Sequence, residues 1–181
     1  MKIAVNTRLL LSDKLDGIGW FTFETLRRLV KDHPEVEFHF IFDRPFSTEF
    51  IFGKNVVPHV IGPPARHPIL MRVWYDTMVP MVLKRIKPDI FISPDAQASL
   101  TTRFPQLLVI HDINFEHYPM DVPTAFRSYL VNRSVRWAHK VDRIITVSEF
   151  SKHDIVSKYK VPAEKVDVAY NGVNEIYAPL S

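Results

Sequence analysis

Cysteine is absent from the sequence. That excludes disulfides, thiolate metal sites and a cysteine nucleophile, and it leaves the redox compartment open. No P-loop, His-Glu-x-x-His or Gly-x-Ser-x-Gly occurs, so the common nucleotide, zinc-protease and hydrolase signatures are missing. No Asp-x-Asp occurs either. A sugar nucleotide held through a metal on paired aspartates is therefore not expected, and no metal site or cofactor is assigned. No apolar run approaches the roughly 18–20 residues needed to span a bilayer. The short apolar opening after Lys2 is interrupted at Arg8 and lacks the core of a signal peptide; the expected location is the cytoplasm. Large charge excess is also lacking. A net charge of +3 and a pI near 9.1 do not by themselves indicate nucleic acid, and they suit an anionic small ligand or an anionic membrane surface.

What is present is the balance of an ordinary globular protein: 46% hydrophobic and 24% charged residues in a chain of 181, enough for one full-sized domain. Apolar segments at 2–6, 36–42, 56–61, 89–93, 107–110, 143–147 and 166–169 read as strands. Helical spacing marks 20–31, 69–86, 124–139 and 148–159, with Pro80 expected to kink or break the second of these. Short apolar strands alternating with helices indicate one doubly wound α/β domain, Rossmann-like, with a parallel sheet of about seven strands and its chemistry at their carboxyl ends.

Three stretches stand at those ends. Asp16-Gly17-Ile18-Gly19 precedes the first helix; small residues there admit a ligand to the helix N-terminus, whose free N–H groups suit a phosphate. A tight turn capped by Asp16 accounts for the same residues. His111-Asp112 follows the fifth strand, where an imidazole can give or take a proton near neutral pH; a histidine satisfied by a local hydrogen bond is the plainer alternative. Ser148 and Ser151 open the helix after the sixth strand, and capping explains them as well as ligand contact does. Arg133, Arg136 and Lys140 share a helical face, read as a solvated stripe or a contact for anionic lipid. Leu70, Val73, Trp74 and Met78 are read as core, and the histidines other than His111 are placed mostly in loops or on helix surfaces. A dehydrogenase reading would use Asp43 for a ribose, but about ten residues separate the first strand from the glycines, too many for that fingerprint.

Taken in order, Gly17-Ile18-Gly19, the run Val109-Ile110-His111-Asp112-Ile113-Asn114-Phe115 with Pro119, and Arg143 to Ser151 continuing to Tyr170-Asn171-Gly172-Val173-Asn174 resemble the N-terminal domain of retaining GT-B fold glycosyltransferases of family 4. The resemblance implies two Rossmann-like domains facing across a cleft, this one on the acceptor side. It implies a nucleotide-sugar donor and a glycan or lipid-linked acceptor, with no nucleic acid. Gly17, Ile18 and Gly19 would approach the donor diphosphate, and His111 would lie near the transferred sugar, with Asp112, Ser148 and Ser151 as further substrate-binding candidates. No metal is implied, because helix dipoles and basic residues offset the leaving charge. The run at His111 is similar to that of enzymes using GDP-mannose or a related donor to build lipopolysaccharide or other surface glycans. Family members often carry a basic residue just after the glycines; Trp20 stands here instead.

On this reading residues 1–174 are the acceptor-side domain, 175–181 start the interdomain hinge, and a C-terminal donor domain is missing. The expectation is a folded half without useful transfer by itself. The rival is a stand-alone Rossmann-like module that binds a sugar or nucleotide without catalysis.

Overall fold

The computed structural model describes residues 1–12 and 14–172. Val173, Asn174 and the expected hinge at 175–181 lie outside the described residues. In chain order the elements are β1 (Lys2–Asn6), α1 (Gly17–Asp32), β2 (Glu37–Phe42), β3 (Val56–Val60), α2 (Pro68–Val73), α3 (Val79–Ile86), β4 (Ile90–Ser93), β5 (Gln106–Val109), α4 (Asn114–His117), α5 (Thr124–Lys140), β6 (Arg143–Thr146), α6 (Glu149–Tyr159) and β7 (Val166–Val168).

All seven strands are parallel, in the order β3-β2-β1-β4-β5-β6-β7. The doubly wound α/β expectation is met. The order reverses between β1 and β4, so the crevice at the carboxyl ends of these two strands is the place for a ligand.

Strand alternation sends neighbouring side chains to opposite faces. Phe38, Phe40 and Phe42 of β2 pack with Leu26 and Val30 of α1. Ile41, between them, packs on the other face with Trp74, Tyr75, Val79 and Leu83. Helix α1 is held at its start by Asp16, whose Oδ1 accepts from the Gly19 N–H at 2.8 Å, and it presents Thr22, Leu26 and Val30 at helical spacing to the sheet. A third cluster around Trp137, Ile144, Ile155 and Tyr159 closes α5 and α6 over β5 to β7.

Pro80 does not break its helix. Between α2 and α3 the chain makes a π turn at Trp74–Met78, and Pro80 sits at the start of α3, where a missing N–H is tolerated. The helical run is thus continuous, carrying one wider turn. Its apolar face is also narrower than expected. Met71, Trp74 and Tyr75 are buried, but Leu70 and Val73 are more than a third exposed. The reading of the basic stripe changes too. Arg133 is buried, ion-paired to Asp76, with its guanidinium over Tyr129 and Trp137 at 5.6 and 5.3 Å, while Arg136 and Lys140 face solvent.

Two histidines lie in the sheet and not on loops. His39 of β2 and His59 of β3 approach at 2.9 Å, Nδ1 to Nε2, and their rings stack. His39 Nε2 is also 2.7 Å from Glu37 Oε1, too poorly aligned to count as a hydrogen bond. Burial lowers the pKa of His39; burial and then His39 itself lower that of His59. Folded-state values below the unfolded value of about 6.5 mean that the fold resists protonation. The contribution of this pair is complete above about pH 6.5 and is lost as pH falls through the lowered folded values. Melting temperatures recorded between about pH 7.5 and 5 should fall, and the fall should flatten in His59→Phe. An unchanged pH slope in that variant would remove the pair as its source.

Candidate functional site

The carboxyl rim of the sheet gathers the two leading candidates. Strand β5 ends at Val109, and His111 follows two residues later. Its Nε2 lies 2.9 Å from the Pro94 carbonyl, just past β4. A carbonyl only accepts, so the neutral ring carries its proton on Nε2 and keeps Nδ1 as an acceptor. On the other side the ring of Phe21, from the first turns of α1, meets the imidazole edge-on at 4.9 Å between centroids. The glycine turn and His111 are therefore neighbours on one rim, on either side of the β1–β4 reversal.

The glycines lie in the first turn of α1, which begins at Gly17 and so three residues earlier than expected. They differ in why they are glycines. A Cβ on Gly19 would meet Leu15 Cδ2 at 3.1 Å and the Leu9 carbonyl at 3.2 Å, so close packing of the preceding loop requires it. A Cβ on Gly17 would meet nothing within 4 Å, and its φ is not positive. No contact among the described residues accounts for glycine there. The N–H groups of Gly17 and Ile18 belong to the first turn, where no acceptor four residues back exists within the helix. Trp20 is about half exposed and meets Phe23 edge-on.

The remaining candidates have local structural partners. Asp112 is exposed and its Oδ1 accepts from the Asn114 N–H at 2.9 Å, a turn closed by its own side chain. Ser148 caps α6: its Oγ accepts from the Ser151 N–H at 3.0 Å and donates to Ser151 Oγ at 3.0 Å. Register places this cap beside the His111 segment, since Val109 of β5 pairs with Ile145 of β6. Asp43 is buried. Its carboxylate is taken by a two-pronged pair with Arg44, at 2.6 and 2.7 Å, and by the Ala65 N–H at 2.7 Å, which leaves it closed to a ribose.

At the reversal itself stands a buried polar network that sequence reading passed over. Arg8 Nε donates to Asp95 Oδ2 at 2.5 Å and to the Tyr75 hydroxyl at 3.1 Å. Tyr75 donates to Asp95 Oδ2 at 2.6 Å, Ser93 donates to Asp95 Oδ1 at 3.1 Å, and Asn6 Nδ2 donates to both Tyr75 and Ser93. Every member is less than a tenth exposed. Burial alone disfavours charge on Arg8, but Tyr75 and Asp95 more than offset it and raise the pKa. Burial, reinforced by Asp95, pushes the Tyr75 phenol up as well, so it remains a neutral donor. Pro94, which accepts from His111, sits between Ser93 and Asp95, so the network fixes the backbone that orients the imidazole. In the sequence, Arg8 is visible only as a break in an apolar run.

Among the described residues no cluster of three or more His, Cys, Asp or Glu could hold a metal ion. Nor is any helix among them long and apolar enough to cross a membrane.

Comparison with known proteins follows the same lines. A family model described as Glycosyltransferase Family 4 matches residues 15–175. Among solved structures, the lipopolysaccharide outer core galactosyltransferase WaaB superposes with a TM-score of 0.62 at 16% identity, over 96% of this chain and 46% of that one. HepE from Anabaena, solved with UDP and glucose, gives 0.59 at 18% identity, over 96% of this chain and 45% of that one. A UDP-N-acetylglucosamine 2-epimerase gives 0.60 at 12% identity, over 93% and 47%. Likeness at these identities is likeness of fold, shared by a galactosyltransferase and an epimerase alike. The chain spans just under half the length of each of these structures. No curated protein sequence matches significantly.

Proposed function

The chain belongs to glycosyltransferase family 4, and from that membership we propose that it is the acceptor-side half of a retaining, nucleotide-sugar-dependent glycosyltransferase of surface polysaccharide or lipopolysaccharide synthesis, working in the cytoplasm. The observation that carries the reading is the pairing of His111 with the first turn of α1 through Phe21, on one rim of a parallel sheet.

In this reading the donor diphosphate approaches the first turn of α1. The open space at Gly17 admits it, and the free N–H groups and the positive helix end offset its charge as it leaves, with no metal. His111, held through Nε2 by Pro94, offers Nδ1 to a hydroxyl of the transferred sugar. With Nε2 donating to Pro94, Nδ1 is the ring atom left to accept a hydrogen bond from a hydroxyl at that point. The donor half of the active site comes from further chain, and the 181-residue chain alone turns over no substrate usefully.

The test is a panel of UDP- and GDP-sugars assayed with the longer chain. There His111→Ala should lower turnover by about a hundredfold while circular dichroism stays native. Near-normal turnover in that variant would take His111 out of the reaction. Robust transfer by the 181-residue chain alone would refute the half-enzyme. Nucleotide-sugar binding without transfer by the longer chain would indicate a binding module instead.

A further inference from the structure

A second concavity adjoins the glycine turn on the same rim. Its volume is about 440 Å³ and it is lined by the loops that follow β1, β2 and β3. Three lining side chains are cationic, Lys14, Arg44 and Arg66, and none of the described lining residues is acidic. Nothing described so far uses this site.

The charges are unequal. Arg44 is held by Asp43 through Nε and Nη2, so its charge is largely offset. Neither Lys14 nor Arg66 has a carboxylate partner among the described residues. Among the described residues, the positive charge that the pocket offers thus comes from Lys14 and Arg66.

The walls are fixed by buried groups. Asp43 Oδ2 accepts from the Ala65 N–H, and Arg8 Nη1 donates to the Ala65 carbonyl at 3.3 Å. The residue before Arg66 is therefore clamped at both its N–H and its carbonyl. Opposite, Phe46 stacks on buried Phe42, with centroids 4.3 Å apart and planes 14° apart, and supplies a rigid aromatic wall. An aromatic wall beside two free cations suits a sugar ring that carries an anion, the ring against the apolar side and the anion on Lys14 and Arg66.

Resting on the glycosyltransferase reading, we propose that this pocket binds the phosphate end of a phosphorylated sugar acceptor, beside the glycine turn assigned to the donor diphosphate. Strand order sets the pocket apart from His111. The loops after β2 and β3 lie on the far side of β1 from His111, and the ends of β2 and β5 stand three strand spacings apart, roughly 14 Å. An acceptor anchored by phosphate in the pocket extends its other end toward His111. The reactive hydroxyl is then remote from the phosphate.

The 181-residue chain, labelled with ¹⁵N, would be titrated with glucose 6-phosphate, glucose, inorganic phosphate and UDP. Glucose 6-phosphate should saturably shift the amides of Leu11, Ser12, Lys14, Arg44, Phe46 and Arg66. The double variant Lys14→Ala/Arg66→Ala should weaken it at least about tenfold, with an unchanged urea midpoint. Inorganic phosphate should bind about tenfold more weakly than the sugar phosphate, and glucose should give no saturable shift. Equal response to glucose, equal affinity for bare phosphate, or no saturable shift at these amides up to about 20 mM would each overturn the proposal. UDP keeps the two readings distinguishable. Shifts by UDP at Gly17, Ile18 and Gly19 test the donor-side assignment, and their failure while glucose 6-phosphate still binds leaves the pocket standing.

Discussion

Asp95→Ala should destabilise the protein by about 3–5 kcal/mol, the usual cost of stranding one partner of a buried ion pair. The reason lies in where the lost carboxylate stands. Asp95 receives Arg8, Tyr75 and Ser93 at once, and Arg8 is only 8% exposed. Removing Asp95 leaves a guanidinium in the interior with a phenol and one carbonyl for company. Urea unfolding at pH 7 reads the loss directly. The double variant Arg8→Met/Asp95→Leu separates charge from shape: it should recover most of the loss, since an apolar replacement of a buried pair is often close to neutral. A single-variant cost below about 1 kcal/mol would mean that water reaches Arg8 and that the pair does not hold the rim together.

Trp74→Ala should cost a similar amount, about 3–5 kcal/mol. Trp74 has no exposed surface, packs in the cluster with Tyr75, Leu83 and Phe91, and donates through Nε1 to the Ile61 carbonyl at 2.8 Å. Truncation therefore opens a cavity and strands an acceptor together. Trp74→Phe isolates the second effect and should cost about 1–3 kcal/mol. If both variants unfolded at the same urea concentration as the parent, the π turn would have to be far more loosely packed than its burial implies.

The periodic features of the sequence carried the architecture. Apolar runs such as Phe38 to Phe42 announce strands because a parallel sheet covered on both faces needs apolar side chains in both directions. His111 was legible as a rim residue because it follows a strand directly, and the glycine turn because it opens the first helix. Their adjacency was not, since it depends on strand order, and β1 and β5 are far apart in sequence while only β4 lies between them in space.

The buried network illustrates what periodicity misses. Arg8 and Asp95 each occur once, in irregular segments just past strands, and a charge in such a place has no sequence mark separating it from a solvated loop charge. Arg133 misled for the opposite reason. Its spacing with Arg136 and Lys140 is that of a surface stripe, but the inward partner Asp76 belongs to a segment 57 residues away. Pro80 was read as a kink or a break because helix rules assume an α-helical phase throughout; a single wider turn ahead of it keeps the run unbroken.

That wider turn has a consequence for how the chain tolerates insertion and deletion. Its first three side chains reach three different parts of the fold: Trp74 binds Ile61 beyond β3, Tyr75 binds Asp95 beyond β4, and Asp76 binds Leu100 and Arg133. Excising one residue, Thr77 for instance, would restore uniform α-helical phase and rotate the flanking segments against each other by about 100°. The three tethers stand ahead of the excision and would hold their segment, so α3 would turn Val79, Leu83 and Ile86 away from the cluster they fill. The segment thus has a length set to the single residue, and a chain that shortens it must repack α3 against the sheet to match.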